Sequence, residues 1–426
     1  MNSYSTRIAG LAAIAVSFAT AGFAADAKSP VSQSIAGRWD ATLTTKTGAI
    51  PFRLDISGDG ATLKGTLYNG WDPFETTTGA KFENGTLILN IDHYLTKITA
   101  SLKDGQLDGK VVSQSRADAA TYAFHATRYV AQAEASDAPS VAGSWEIPLD
   151  KPNAKGEKSQ RLIVEQKGAE VSASILRVDG DTGALNGTYK DGKWVLSHWD
   201  GSRPGLMELA LTKDGTLEIK QEGGRAGNKL IAYRTEVARA KGFAEPEDYT
   251  THTTMRDPNE VFAYKFPDVN GKILSNEDPK FKNKVVLAIV TGTWCPNCHD
   301  EAQYLVELYA KYHDKGLEIV ALDFEEPEQQ DDLARVHAFI KQYHVPYTYL
   351  IAGAPAEMWE KLPQAVNLNT WPATLFVGRD GRVKHIHTGF ASPASGGFNA
   401  ELKQEFTSTI EQLLKEKAEI TSASLQ

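Results

Sequence analysis

Lys284-Val285-Val286-Leu287-Ala288-Ile289-Val290-Thr291-Gly292-Thr293-Trp294-Cys295-Pro296-Asn297-Cys298 is the stretch from which the fold can be read. Val285 to Val290 is an apolar run with no polar alternation, the pattern of a strand covered on both faces. Pro296 then marks a helix start, because its fixed φ and missing N–H suit a first helical position. Ala302, Leu305, Tyr309 and Tyr312 follow at helical spacing and form the expected buried stripe of a helix running from about Cys298 to His313. Two cysteines thus fall where a buried strand turns into a helix.

The rest of this half alternates in the same way. Strands are expected at Leu317 to Leu322, Tyr347 to Ile351, Ala373 to Val377 and Val383 to His387, with helices near Asp331 to Tyr343 and Glu401 to Lys417. That order predicts an α/β domain with a mixed central sheet over 260–417.

The N-terminal half has another texture. From about Gly37 to Arg234, short alternating segments such as Leu87-Ile88-Leu89-Asn90-Ile91 are punctuated by turn pairs such as Asn84-Gly85 and Asp191-Gly192, which is the signature of β-hairpins. Gly37-Arg38-Trp39 recurs as Gly143-Ser144-Trp145, and Ala126-Thr127-Arg128 as Ala232-Tyr233-Arg234, both at one offset; Lys103-Asp104-Gly105 and Lys213-Asp214-Gly215 fall between them at nearly the same one. Two tandem all-β modules are expected, at 37–130 and 143–235, each a small sandwich or barrel. A charged connector at 236–259 then leads into the α/β domain. Trp39 and Trp145 read as core plugs of their modules because of the area they bury. His93 and His198 are lone histidines without a second metal ligand, and no chemistry is assigned to them.

Length and charge agree with this division. A chain of 426 residues exceeds a single ordinary core. Its net charge of -9, with no Lys/Arg-rich stretch, gives no footprint for nucleic acid or an anionic membrane. Arg7, the apolar run from Ile8 to Ala19 and the ending Gly22-Phe23-Ala24 have the layout of a secretory signal spanning 1–24. A periplasmic or otherwise exported protein is expected, with an uncleaved membrane anchor as the competing reading of the same segment.

An exported chain of this size has access to many disulfides, yet it has only two cysteines, separated by two residues. Such a pair points to redox chemistry rather than to stapling. Cys295, at the helix N-terminus, faces unpaired N–H groups and the positive end of the dipole, so it is the expected nucleophilic thiolate. Cys298, one turn on and facing inward, is placed to resolve a mixed disulfide formed at Cys295.

Thr293-Trp294-Cys295-Pro296-Asn297-Cys298, following a buried strand and opening a helix, resembles the active site of the TlpA/ResA-type branch of the thioredoxin superfamily. Phe266-Pro267-Asp268-Val269-Asn270-Gly271-Lys272 and Lys315-Gly316-Leu317-Glu318-Ile319-Val320 resemble further landmarks of that branch. The resemblance covers about 260–417 and not the β-rich half. It implies a thiol-disulfide oxidoreductase, tipped toward reduction of disulfides in exported proteins, with electrons arriving from a membrane donor and no cofactor beyond the Cys295–Cys298 disulfide. Trp371-Pro372-Ala373-Thr374 resembles the family loop whose proline is cis and faces the cysteines, and the backbone of Trp371 would pair with a bound substrate. Trp294, Pro296, Trp371 and Pro372 are therefore the expected substrate-binding residues. Trp371 is larger than the residue common before that proline. Glu301 occupies the place of an acidic residue near the sulfurs in ResA-like members. Three residues past Cys298, it shares a helix face with it and is a candidate proton acceptor, the alternative being a first-turn Glu that complements the dipole.

Other readings compete. Cys295 to Cys298 followed by His299 also spells a c-type haem attachment motif, with Met358 a conceivable axial ligand. The strand–helix context opposes this, and His299 is expected at the surface beside the site. Zinc would need two more ligands, and His385 and His387 are alternate positions of one strand. The acidic run Glu325-Glu326-Pro327-Glu328 is expected to cap the next helix. Peroxide reduction lacks the Thr-x-x-Cys arrangement. A binding role for the β modules, with the α/β domain accessory, is the reading from a different functional class.

Overall fold

The computed structural model describes residues 34–46, 48–114, 119–131, 137–202, 204–222 and 229–416. The expected signal segment at 1–24 lies outside them. No helix among the described residues is long and apolar enough to cross a membrane.

Two large, curled, all-antiparallel sheets precede an α/β domain. In the first sheet, the opening strand Gly37–Thr45 pairs with Gly48–Ser57 on one side and with the last strand, Ala120–Arg128, on the other. Its two end strands, Asp72–Thr76 and Gly79–Glu83, are joined by Thr77 and Thr78: Thr77 Oγ1 accepts from Gly65 N at 2.9 Å on one side, and Thr78 N donates to the Asn90 carbonyl at 2.8 Å on the other. The second sheet runs from Gly143–Pro148 to Lys229–Ala232 and closes where Glu146 and Tyr233 exchange both backbone hydrogen bonds at 2.8 Å. Closure of this kind protects edge strands from pairing with other chains. Trp39 and Trp145, one on each first strand, are buried. The Arg128 guanidinium lies 4.1 Å from the Trp39 ring centroid, and that of Arg234 lies 3.7 Å from Trp145. Arg128 also donates to the Ala36 carbonyl and Arg234 to that of Ala142. The same clamp thus stands in both sheets.

Residues 236–259 are built into the structure. Ala238 of the short helix Thr235–Ala240 is buried, and so are His252 and Thr253.

The α/β domain has a five-stranded sheet in the spatial order Thr348–Gly353, Leu317–Phe324, Val285–Thr291, Ala373–Val377, Val383–Thr388. The first three strands are parallel and the last two antiparallel to their neighbours. Val285, Leu287 and Ile289 face a core made with the helices Pro296–Tyr312, Ala334–Tyr343 and Gly397–Lys415. Val286, Ala288 and Val290 face another, with Phe262, Phe324 and Leu375. Both faces of the central strand are covered, which is why its sequence shows no alternation. Ile163 and Leu176 of the second β sheet join the helical-side core, so the β-rich half packs directly on the α/β domain.

The acidic run after Leu317–Phe324 does not cap the following helix. Glu325 is fully buried and pairs with Arg335, while Thr293 Oγ1 donates to Glu325 and accepts from Arg335 Nε. A buried carboxylate demands a charged or hydrogen-bonding partner, and Arg335 supplies it.

Candidate active site

The Val285–Thr291 strand turns through Gly292 and Thr293 into the helix Pro296–Tyr312, with Cys295 as its N-cap and Pro296 at the first position. Gly292 is required by the close approach of the next indole: a Cβ there would lie 2.4 Å from Trp294 Nε1. Trp294 donates that Nε1 to the Phe324 carbonyl at 2.9 Å, which fixes the ring against the neighbouring strand.

Both cysteines stand as thiols, and both are nearly sealed, Cys295 at 5% and Cys298 at 1% exposure. Cys295 Sγ donates to the Trp371 carbonyl at 3.2 Å, and the Trp371–Pro372 bond that follows is cis. The Trp371 and Trp294 rings lie 5.4 Å apart and pack with the two sulfurs. Segments more than seventy residues apart in sequence therefore converge on Cys295. Burial pushes the Cys298 thiol well above its ordinary range, and its hydrogen bond with Cys295 and the charge of that sulfur push the same way. The inner sulfur is thus held protonated.

Glu301 is buried on the inward face of the same helix. Its Oε1 accepts from Thr374 Oγ1 at 2.5 Å, two residues past Pro372. Burial lifts its carboxyl to about 8, the Thr374 hydrogen bond opposes this, and negative charge on Cys295 adds to it. A buried acid poised near neutrality suits proton exchange better than dipole compensation at a surface.

His299 is not at the surface. It is fully buried, stacked on Tyr94 at 4.2 Å, with Phe339 edge-on at 4.7 Å. Its Nδ1 hydrogen-bonds Tyr343 Oη at 3.0 Å and its Nε2 the Thr293 carbonyl at 2.7 Å. Burial holds it well below the usual histidine range, so it is neutral. With both ring nitrogens engaged, His299 is not disposed to serve as a haem axial ligand. Met358 is buried in the core on the other side of the sheet, and the residues present do not fit that cofactor. His385 and His387 both bond Glu405.

The β-rich half touches both segments that frame Cys295. Asn297 Nδ2 donates to the Asp181 carbonyl at 3.0 Å and the Phe390 carbonyl at 3.3 Å. The Asp181 carboxylate accepts from Ser392 N at 2.7 Å and Ser395 Oγ at 2.6 Å. Lys155 Nζ donates to the Asn369 carbonyl and lies 5.3 Å from the Trp371 ring centroid. A cavity of about 220 Å³ opens beside Pro296 and Asn297, lined also by Asn69, His198, Asp200 and Asp300. Sequence reasoning missed Lys155, Asp181 and Thr374. The first two act across the domain boundary, where no local pattern could signal them; Thr374 was read only as part of the proline loop.

A family model described as Redoxin matches residues 257–401, leaving the β-rich half outside it. The thiol-disulfide oxidoreductase ResA of Bacillus thuringiensis is 33% identical over 147 residues, covering 34% of this chain and 77% of that protein. ResA of Bacillus cereus is 34% identical over the same length and shares of both chains. Among solved structures, a DsbF homologue from Corynebacterium diphtheriae is 18% identical with a TM-score of 0.31, covering 40% of this chain and 98% of that one. Identity of 33% across 77% of a relative, joined to the Redoxin match over the dithiol domain, places this chain among the ResA-type thiol-disulfide oxidoreductases of the thioredoxin superfamily.

Proposed function

We propose that the protein is an exported protein-disulfide reductase working by dithiol exchange through Cys295 and Cys298. The asymmetry of the two sulfurs carries this reading. Cys295 caps the helix, on the Trp371 carbonyl, while Cys298 is buried deeper and kept protonated. The Cys295 thiolate attacks one sulfur of a client disulfide, and the other client sulfur leaves as a thiolate. Cys298 then gives up its proton, with the ionised form of Glu301 as acceptor, and attacks Cys295 Sγ, releasing the second client sulfur. Two electrons pass to the client, and the Cys295–Cys298 disulfide remains, to be reduced again by a membrane donor. Trp371 and Pro372 line the client path, with Trp294 and Pro296 flanking it.

The domains are read as 37–130, 143–235 and 260–417, the first two being copies of one β unit. The recurrence of the Arg–Trp clamp, with each arginine on an equivalent carbonyl, supports duplication.

Insulin reduction by the full chain tests the assignment. Cys295→Ser should abolish turnover, and Cys298→Ser should accumulate a mixed disulfide at Cys295. Full activity in Cys295→Ser would overturn the nucleophile. A reduction potential more oxidising than that of the client pool would reverse the direction.

A further inference from the structure

Lys155 belongs to the second β sheet's half of the chain, yet it reaches the redox centre from a turn built to present it. Asn153 Oδ1 accepts from the backbone N–H of Lys155 at 2.9 Å and of Glu157 at 3.1 Å. Asn153 Nδ2 donates to Glu157 Oε2 at 2.6 Å, and the buried Glu157 anchors the turn by accepting from Val178 N at 2.7 Å. Gly156, at φ +92°, supplies the left-handed residue that the turn needs. The ammonium so delivered donates to the carbonyl of Asn369 and lies over the Trp371 ring, whose own carbonyl holds Cys295 Sγ.

Two features make this more than a surface contact. Lys155 forms no ion pair among the described residues; its direct acceptor is a neutral carbonyl, so its charge is not cancelled by an adjacent carboxylate. Charge on the Cys295 sulfur is felt by Cys298, Glu301 and Asp300, each of which it pushes toward its protonated form. Around Lys155 itself stand Asp179, Glu157 and Arg177, of mixed sign. Burial lowers the Lys155 pKa, while Asp179 and then negative charge on Cys295 act to raise it, the latter being the reciprocal of the lysine stabilising a thiolate.

We propose that Lys155 is a cation of the redox centre, a positioning residue carried in from the β-rich half that stabilises negative charge on the Cys295 sulfur. The redox centre is then a composite of both halves, and the β-rich half takes part in thiolate chemistry. This rests on Cys295 being the attacking sulfur.

The test is the pH dependence of iodoacetamide alkylation in the full-length reduced protein, comparing the native chain with Lys155→Met and Lys155→Arg and locating the label by peptide mass. Lys155→Met should slow Cys295 alkylation about threefold to tenfold below neutral pH and move its midpoint to alkaline pH, as expected for loss of one nearby opposite charge. Lys155→Arg, which keeps the charge, should restore most of the native profile. Label on Cys295 with superimposable native and Lys155→Met profiles would overturn the role of Lys155 alone. Equal shifts in Lys155→Met and Lys155→Arg would assign it to packing and overturn it too. Label appearing first on Cys298 would overturn both this role and the nucleophile assignment.

Discussion

The side-chain amide of Asn297 donates to the backbone carbonyl of Asp181 at 3.0 Å, so the residue before Cys298 is tied to a hairpin of the β-rich half. The tie is reinforced from the other side, where the Asp181 carboxylate holds Ser392 and Ser395 of the α/β domain. The hairpin is therefore bonded to the residue next to Cys298 and to the segment 392–395 at once.

Gly180 should be the sensitive point of this contact. It sits at φ +104°, and a Cβ there would lie 2.2 Å from Asn297 Nδ2 and 2.8 Å from the Phe390 carbonyl, a backbone atom that cannot simply swing away. Gly180→Ala is expected to cost about 1–3 kcal/mol in urea unfolding from left-handed strain and the clash. It should also speed reaction of Cys295 with a bulky aromatic disulfide by loosening the hold on Asn297, two residues away. A variant as stable and as slow to react as the native protein would show that the hairpin does not guard the site.

Glu301 should give stability a specific pH dependence. Its folded-state pKa is about 8, raised from an ordinary value of 4.5. The folded protein therefore holds this proton where the unfolded chain has lost it. The resulting stability is fully present below the unfolded value and is lost as pH rises through the folded one, by an amount on the order of 5 kcal/mol. Glu301→Gln keeps the neutral form, so the two proteins should have parallel stabilities in acid. From mildly acidic pH up to about 8, the native protein should fall away from the variant. Urea midpoints measured across that range give the comparison, and a constant difference would refute the buried-acid assignment.

What the sequence revealed depended on whether a residue's partner was close in the chain. The strand from Val285, the helix begun by Pro296 and the cysteine pair are local patterns, and the structure shows a buried strand at Val285–Thr291 and a helix at Pro296–Tyr312. His299 was misplaced because its burial comes from Tyr94, some two hundred residues earlier, stacking on its ring. Glu325 was misread because an acidic run before a helix ordinarily caps it, whereas its actual partner, Arg335, lies inside that helix. The helix itself starts at Ala334, later than its charged lead-in suggested, after Leu333 at φ 52°. The contacts of Asn297 with Asp181 and of Lys155 with Asn369 were invisible for the same reason, since they join the two halves.

Arg335 should be among the most costly single losses in the α/β domain. It and Glu325 are both fully buried, and they bracket Thr293 two residues before Cys295. Arg335→Met would strand a buried carboxylate, and a loss of about 3–5 kcal/mol is expected. Glu325→Leu combined with Arg335→Met should recover most of that loss, because no charge is then left unpaired. Chemical unfolding of the two single variants and the double variant measures this, and a double variant as unstable as the sum of the singles would mean that the pair is not coupled.

The arginine clamps test whether the two β sheets are energetically separate. Arg128 on Trp39 and Arg234 on Trp145 occupy matching places, and each also holds a carbonyl, of Ala36 and Ala142 respectively. Removing either guanidinium by Arg→Ala should cost about 1–2 kcal/mol, combining a cation–π contact with a hydrogen bond. Trp39→Ala or Trp145→Ala should cost about 3–5 kcal/mol, because a buried indole leaves a large void. The second sheet closes on itself through Glu146 and Tyr233, and among the described residues Trp145 sits in a core drawn from the second sheet, its loops and the segment leading into it. If the first sheet is equally self-contained, Arg128→Ala and Arg234→Ala share no packing neighbours. Their effects should then add to within about 0.5 kcal/mol in the double variant. A coupling well beyond that would instead mean that the two sheets share one core.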